Sequence, residues 1–237
     1  MRITWMMILK GKRALVTGGA VRIGKAITKA LQAAGAEVVV HYRNSAREAD
    51  ELSPLTVQAD LYLVEECARL IEQAGPLDIL INNASIFTKD SLAESTPERV
   101  QNEFNINLLA PLELTRHFAA QANEGAIINL LDRRIRANDT TCLPYSITKR
   151  GLEELTKLSA LELAPRIRVN AVAPGPILPP PGSSAESARE LAGNIPLDLL
   201  PTPENIAETT LFLLQADYCT GQVIYVDGGQ HLLGNGV

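Results

Sequence analysis

The sequence has few cysteines and no long apolar run. Its three cysteines, Cys67, Cys142 and Cys219, are far apart, and no CxxC or Cys/His cluster occurs. A disulfide scaffold and a zinc site are therefore disfavoured, and we expect a reducing, cytoplasmic compartment and no bound metal. No apolar stretch approaches the about 20 residues that a membrane helix needs. The first segment, MRITWMMILK, lacks the long apolar region and cleavage site of a signal peptide.

An excess of positive charge is also absent. The formal net charge of the 237 residues is −5, which excludes a general attraction to nucleic acid or to acidic membranes. Hydrophobic residues make up 46% and charged residues 21%. These proportions are typical of a globular protein with a substantial core.

Short apolar runs alternate with longer helical patterns along the chain. Strands are predicted at Arg13–Thr17, Glu37–His41, Leu55–Gln58, Asp78–Ile81, Ala126–Leu131, Ile167–Ala171 and Gln222–Val226. Helices are predicted at Ile23–Ala34, Val64–Ala74, Pro97–Ala122, Tyr145–Leu163 and Pro203–Leu214. This alternation predicts an α/β fold with a parallel sheet and helices on both faces. No repeat or composition break divides residues 1–237, so we expect a single domain. The irregular segment 174–201 is predicted to be a substrate lid or binding loop, or simply a surface excursion.

A glycine-rich turn, Thr17–Gly24, lies between the first strand and the first helix. Glycines at this place let the backbone approach a pyrophosphate, which then binds at the helix N-terminus. In NAD-binding folds an acid about 20 residues further on usually binds the ribose 2′-hydroxyl. Here the second strand is followed by Arg43, Asn44 and Ser45, with no acid. Arg43 and Ser45 are suited to a 2′-phosphate, which predicts NADPH, although Arg43 can also be an ordinary surface arginine.

A tyrosine and a lysine stand four positions apart at Tyr145 and Lys149, after a strand that ends near Asp132. On a helix this spacing puts both side chains on one face, with their Cβ atoms about 5–6 Å apart. Such a pair is equally typical of a solvated helix start, and Asp132 alone can be a strand-end cap. The remaining motifs decide between these interpretations.

The motifs occur in the order found in the short-chain dehydrogenase/reductase family, which the whole chain resembles. They are the glycine turn, Asp60, Asn82-Asn83-Ala84, Asn107, Tyr145 with Lys149, Pro174-Gly175 and Val226–Gly229. The resemblance implies a doubly wound, Rossmann-like sheet and hydride transfer between a nicotinamide cofactor and a small-molecule substrate. The residues that it assigns to the cofactor are Gly18, Arg22, Ile23, Gly24, Tyr42, Arg43, Asn44, Ser45, Asp60, Leu61, Asn83, Ala84, Ser85, Tyr145, Lys149, Pro174 and Gly175.

The resemblance also implies a homotetramer or dimer. Family members usually pair the helices that correspond to Phe104–Ala120 and Ser146–Leu163. The second of these carries an apolar stripe here, namely Ile147, Leu152, Leu155, Leu158 and Leu161. Such a stripe can equally belong to the core of one chain.

Three departures from the family pattern resemble the pteridine reductases and the related dihydromonapterin and dihydrofolate reductases. Arg22 replaces a glycine of the turn, Ser85 follows Asn82-Asn83-Ala84, and Asp132 replaces the usual catalytic serine. The subgroup implies substrate contacts by Arg22, Ser85, Phe87, Asp132 and Tyr145, with Phe87 stacked on a pterin ring. Ordinary core packing is the alternative for Phe87.

Family resemblance makes Tyr145 the proton donor and Lys149 its helper, which also binds the nicotinamide ribose. We expect the ammonium of Lys149 to lower the pKa of Tyr145 from about 10. A carboxylate at Asp132 would repel the charge that develops on a ketone oxygen, but it suits a C=N bond whose nitrogen takes a proton.

Asn107 completes the predicted catalytic set. Pro111, four residues later, has no N–H, so the Asn107 carbonyl is free to hold a water of a proton relay, or the helix is simply kinked.

The sequence thus predicts an NADPH-dependent reductase of a C=N bond in a pterin-type substrate. A short-chain reductase of a carbonyl substrate, such as a 3-ketoacyl thioester, is the first alternative. A non-catalytic nucleotide-sensing protein is the second, and the intact Tyr145/Lys149 pair weighs against it.

Overall fold

The computed structural model of the protein describes residues 9–177 and 192–234. Its seven strands form one sheet in the order β3-β2-β1-β4-β5-β6-β7, and every neighbouring pair is parallel. The strands are β1 Arg13–Val16, β2 Glu37–Tyr42, β3 Thr56–Gln58, β4 Ile79–Asn82, β5 Gly125–Leu130, β6 Ile167–Pro174 and β7 Val223–Val226. The predicted doubly wound sheet is confirmed, and each predicted strand overlaps an observed one.

The helices are α1 Arg22–Ala33, α2 Ala46–Asp50, α3 Glu66–Ala74, α4 Pro97–Phe104, α5 Ala110–Gln121, α6 Leu143–Leu163 and α7 Pro203–Gln215. The short helix α2 has too few residues to show a period and was not predicted. Much of the predicted loop, residues 178–191, lies outside the described residues. Within the part of the chain that is described, no helix is both long and apolar enough to cross a membrane.

The helix predicted over Pro97–Ala122 is interrupted. A π-helical turn at Asn105–Leu109 separates α4 from α5. Pro111 follows directly in the first turn of α5. A proline cannot donate to the carbonyl four residues before it and its ring crowds that carbonyl, so a locally widened turn accommodates it. The turn sets the direction from which Asn107 enters the site.

The core consists of two layers, one on each face of the sheet. Side chains of a strand alternate between faces, so Val38 and Val40 pack with α1 and α7, whereas Val39 packs with α3 and α5. A strand that is buried on both faces has a continuous run of apolar residues, which explains the three consecutive valines in EVVVH.

The strand order reverses between β1 and β4. Successive crossovers lead to β2 and β3 on one side and to β5, β6 and β7 on the other. In open α/β sheets this reversal leaves a crevice at the carboxyl ends of the strands, where ligands bind. The glycine turn follows β1 and Asn83 follows β4, so both border this crevice.

Candidate active site

The glycine turn is closely packed against the end of β4. Gly18 has a φ of 60°, and a Cβ atom there would lie 3.3 Å from the Ala84 Cα. A Cβ at Gly24 would lie 2.1 Å from the Gly18 carbonyl oxygen. Asn83 Nδ2 donates to the Thr17 carbonyl at 2.8 Å and to the Gly18 carbonyl at 3.2 Å. A side chain would clash at Gly24 and would be strained at Gly18, and Asn83 fixes the turn.

Arg22 has an unusual backbone conformation. Its φ is 51°, in the left-handed region that costs an L-residue about 1–2 kcal/mol. It begins α1 and stands where family members have a glycine. Backbone strain clusters at functional sites, so we expect the Arg22 side chain to have a function.

His41 is a functional residue to which sequence reasoning assigned no role. Its side chain is buried at the end of β2, where Nδ1 accepts a hydrogen bond from the Gly18 N–H at 3.0 Å. The other ring nitrogen, Nε2, lies 3.1 Å from the Ala59 carbonyl, to which it must donate. Burial lowers the pKa of His41 to about 4, so the ring is neutral and orients the glycine turn. A histidine within an apolar strand run was the available signal.

A cleft of about 430 Å³ opens beside the turn. It brings together thirteen of the predicted cofactor residues: Gly18, Arg22, Ile23, Gly24, Tyr42, Arg43, Asn44, Ser45, Asp60, Leu61, Asn83, Ala84 and Ser85. Tyr145, Lys149, Pro174 and Gly175 are not part of its lining. Gly175 instead packs on the loop after β7, where an added Cβ would lie 2.7 Å from the Asp227 Cβ.

Arg43 lies at the edge of this cleft and is half-exposed. Its guanidinium is 3.9 Å from Asp60 Oδ1 and 4.8 Å from the centroid of the Tyr62 ring. Ser45 stands beside it at the N-cap position of the short helix α2, where its side chain makes no capping hydrogen bond. The Arg43 guanidinium and the Ser45 hydroxyl therefore lie close together after β2. The guanidinium also contacts the carboxylate and the ring described above.

The structure brings Asp132, Tyr145 and Lys149 together, as their spacing predicts. The Tyr145 hydroxyl donates to Asp132 Oδ2 at 2.9 Å. Lys149 Nζ donates to the Leu130 carbonyl at 2.8 Å and lies 5.7 Å from the Tyr145 ring centroid. Asp132 also accepts from the Arg134 N–H at 2.8 Å, so it caps the 3₁₀ turn Arg133–Arg136 as well as contacting Tyr145.

The prediction that Lys149 lowers the pKa of Tyr145 is wrong for this arrangement. Burial, together with the charge of Asp132 and the hydrogen bond to it, raises the pKa of Tyr145 well above its usual value. Burial also lowers the pKa of Lys149 to about 8. The carboxylate contacts the phenol directly, whereas the ammonium is bonded to a carbonyl. Tyr145 is consequently protonated at neutral pH.

Arg134 is a second residue that sequence reasoning missed. Its guanidinium lies between two carboxylates, with NH1 3.4 Å from Asp132 Oδ2 and Nε 3.2 Å from Asp139 Oδ2. It also covers the Phe87 ring at 5.1 Å. Phe87 is 46% exposed and meets Tyr145 edge to face, with ring centroids 4.8 Å apart. The core alternative for Phe87 is therefore wrong.

Asn107 is buried and connects several parts of the site. Its Oδ1 accepts from Ser85 Oγ at 2.9 Å and from the Ile86 N–H at 3.0 Å. Its Nδ2 donates to the Ile86 carbonyl at 2.9 Å and to Glu103 Oε2 at 2.5 Å. Glu103 was not predicted, although its spacing of four residues from Asn107 places both on one helix face. The side chain of Asn107, which the sequence argument did not use, thus determines the position of Ser85.

No metal centre accompanies this cluster. Across residues 9–177 and 192–234, no group of three or more His, Cys, Asp or Glu side chains is arranged to hold a metal ion. The functional groups of the site are a phenol, an ammonium, a carboxylate–guanidinium pair and an exposed aromatic ring.

Comparison with known proteins places this geometry in a family. The family described as enoyl-(acyl carrier protein) reductase matches residues 19–231. L-xylulose reductase of Mus musculus is 37% identical over 238 residues, covering 93% of this chain and 97% of the relative. The structure of FolM alternative dihydrofolate reductase 1 from Brucella canis, complexed with NADP, superposes with a TM-score of 0.89 at 32% identity, covering 95% of this chain and 96% of that one.

A blue fluorescent protein from a metagenomic library, in complex with NADPH, superposes with a TM-score of 0.86 at 33% identity, over 93% of this chain and 98% of the other. The seven-stranded parallel sheet agrees with these similarities. The chain belongs to the short-chain dehydrogenase/reductase family of oxidoreductases.

Proposed function

We propose that the protein is an NADPH-dependent reductase of a C=N bond in a dihydropterin-type substrate. The observation that carries the proposal is the carboxylate of Asp132, hydrogen-bonded to the Tyr145 hydroxyl and paired with Arg134. Most members of the family are expected to have a serine at this place.

The acidity of Tyr145 supports an imine-type acceptor. Burial and Asp132 raise the pKa of Tyr145, so its phenol is a weak acid. A carbonyl oxygen is a very weak base and needs strong donors as charge develops on it. An imine nitrogen is much more basic and takes a proton readily from a weak acid. The carboxylate of Asp132 then stabilises the positively polarised ring instead of opposing the reaction.

Phe87 supports a flat, aromatic substrate. Its ring is exposed beside Tyr145, and its contacts with the Tyr145 ring and the Arg134 guanidinium fix its orientation. Aromatic rings held in this way offer a stacking surface at little entropic cost. A pterin has the size, planarity and polar edges that such a surface and its neighbouring carboxylate can bind.

The cleft residues fit a nicotinamide dinucleotide phosphate. Glycine at positions 18 and 24 keeps side chains away from the turn, and we expect the backbone N–H groups at the start of α1 to be accessible to a pyrophosphate. Arg43 and Ser45 would hold the 2′-phosphate, and Lys149 the nicotinamide ribose. NADPH supplies the hydride when bound. The complexes of FolM with NADP and of the blue fluorescent protein with NADPH support this cofactor.

The proposal is tested by following NADPH oxidation with a panel of acceptors. The panel consists of a dihydropterin, dihydrofolate, a quinonoid dihydropterin, L-xylulose and a 3-ketoacyl thioester. We expect the largest kcat/KM with one of the first three and a preference for NADPH over NADH. A preference for NADH would remove the assignment of Arg43 and Ser45, and a preference for the ketones would remove the assignment of the substrate.

Asp132→Ser separates the two catalytic interpretations. Serine should lower dihydropterin reduction by about 10²-fold or more, the size of one acid–base contribution. Ketone reduction should stay the same or improve, since a neutral donor then faces the developing oxyanion. Parallel losses with both substrates would show that Asp132 only orients Tyr145, and the electrostatic argument would fail.

Reduction of a sugar ketone or another carbonyl is the second candidate. It is supported by the 37% identity to L-xylulose reductase. Against it stands the Asp132–Tyr145 pair, which makes a poor donor for a carbonyl oxygen. A nucleotide-sensing protein without catalysis would need no tyrosine–lysine pair, and any turnover in the panel excludes it.

We further propose that the chain self-associates through α6 and the neighbouring α5, as a dimer or tetramer. Leu152 of the predicted stripe belongs to the core, at 1% exposure. Ile147, Leu158 and Leu161 are 47%, 64% and 81% exposed, and Leu112 of α5 is 38% exposed. Large exposed apolar side chains grouped on one helix mark an interaction surface.

The three cysteines are free, which supports a cytoplasmic location.

A further inference from the structure

A buried carboxylate, Glu103, stands behind the substrate side of the site and has no assigned role. It is 1% exposed and lies near the end of α4. Its Oε1 accepts from the Thr88 N–H at 2.8 Å, and its Oε2 accepts from Asn107 Nδ2 at 2.5 Å. A carboxylate is costly to bury unless donors satisfy it. Both neighbours are therefore held as donors towards Glu103.

Glu103 and the Ile86 backbone together leave the Asn107 amide only one orientation. The amide NH₂ faces Glu103 Oε2 and the Ile86 carbonyl, and Thr148 Oγ1 lies farther away at 3.4 Å. The amide oxygen faces the Ile86 N–H at 3.0 Å. A flipped amide would place NH₂ against that N–H and oxygen against the two acceptors, leaving buried polar groups unsatisfied at about 1–3 kcal/mol each.

This orientation determines whether Ser85 can donate or only accept a hydrogen bond from a ligand. Its hydroxyl has one proton and two lone pairs. The proton is directed to Asn107 Oδ1 at 2.9 Å. The Ile86 carbonyl, a second acceptor within the protein, lies farther away at 3.4 Å. Ser85 is exposed and lines the cleft. It can consequently offer lone pairs, but no proton, to a bound ligand.

We propose that Glu103 is a positioning residue that acts through Asn107 to make Ser85 a hydrogen-bond acceptor for an N–H group of the bound ring. The ligand class is a heterocycle with an exocyclic amino group, and a ring with an oxo group at that point is rejected. The choice of ligand class rests on the proposed function, and it narrows the proposed substrates to rings with such an amino group. The chain of contacts from Glu103 to Ser85 does not depend on turnover.

The test compares 2,4-diaminopteridine with lumazine, which carry amino and oxo groups on the same two carbons. Their Kd values are measured by fluorescence with saturating NADP, so no reaction is needed. Glu103→Gln turns one acceptor oxygen into a donor, which opposes either Thr88 N–H or Asn107 Nδ2. The wild-type protein should prefer the diamino ring, and this preference should fall about 5- to 10-fold in Glu103→Gln, the value of one net hydrogen bond.

Ser85→Ala should lower the preference by a similar factor. The double variant Glu103→Gln/Ser85→Ala should lower it no further, because both changes remove the same hydrogen bond. Glu98→Gln, the same chemical change at an exposed position of α4, is the matched control and should leave the preference intact. Thermal unfolding of each variant shows whether it is folded.

A second variant keeps the test decisive if Glu103→Gln is poorly folded. In Glu103→Gln/Asn107→Asp, the new amide can donate to one oxygen of the new carboxylate, and the other oxygen still accepts from Ser85. The donor to the Ile86 carbonyl is lost, so the repair is incomplete. This exchange should restore part of the preference. Equal weakening of both probes by Glu103→Gln, independent losses in the double variant, or no binding of either probe would overturn the proposal. Absence of reductase activity would count only against the proposed function.

Discussion

The stability of the protein should fall steeply in mild acid because of one buried imidazole. His41 receives the Gly18 N–H on Nδ1 and donates from Nε2 to the Ala59 carbonyl. Protonation would put a second N–H against the Gly18 N–H, in a site without solvent. Burial is the largest cause of the drop in the pKa of His41 from 6.5 to about 4.

The direction and size of the effect follow from these two pKa values. Between pH 6.5 and about 4, the unfolded chain binds a proton at His41 that the folded protein does not, so the free energy of unfolding rises with pH. The contribution of His41 is complete above pH 6.5 and is lost as the pH falls to about 4. About 2.5 pH units at about 1.4 kcal/mol each correspond to about 3.5 kcal/mol.

Urea unfolding followed by circular dichroism between pH 7.5 and 4.5 measures this loss. Carboxylates titrate over part of the same range, so the matched control is His41→Asn, which keeps an acceptor near the position of Nδ1 but does not titrate. The stability difference between the two proteins should shrink by more than about 2 kcal/mol from pH 7 to pH 4.5. Parallel pH curves would refute the assignment of a neutral, buried His41.

Three further substitutions test other parts of the site. Arg22→Gly should raise the free energy of unfolding by up to about 1 kcal/mol, because the left-handed penalty of about 1–2 kcal/mol exceeds the added backbone entropy of glycine. The same change should weaken NADPH binding, and a destabilised Arg22→Gly protein would contradict the strain at φ 51°. Tyr145→Phe should lower kcat by about 10²–10⁴-fold while the Kd of NADPH changes only a few-fold; activity within a few-fold of wild type would show that another group donates the proton. Leu158→Glu/Leu161→Glu should convert the associated protein into monomers with unchanged circular dichroism, as both side chains are largely exposed in one chain. A wild-type protein that is monomeric by light scattering at micromolar concentration would remove the proposed interface.

The order of strands and helices could be predicted from the sequence because it depends on local patterns. Continuous apolar runs such as EVVVH mark strands that are buried on both faces. The turn at Gly18 and Gly24 and the helical spacing of Tyr145 and Lys149 are likewise local, since each depends on backbone conformation within a few residues. A five-residue helix such as Ala46–Asp50 escapes this reasoning because it is too short to show a period.

The chemistry of the site depended on contacts between distant parts of the chain. The sequence spacing predicts that Tyr145 lies near Lys149. Only the fold shows that Lys149 donates a hydrogen bond to the Leu130 carbonyl and that the Tyr145 hydroxyl donates to Asp132. This decides the direction of the Tyr145 pKa, which the sequence argument had reversed. The same holds for two other contacts, which join residues that no regular sequence spacing relates. These are Arg134 with Phe87 and His41 with Gly18. Burial and hydrogen-bond partners, which determine charge and donor polarity, are properties of the folded chain, because they depend on which segments exclude water from one another.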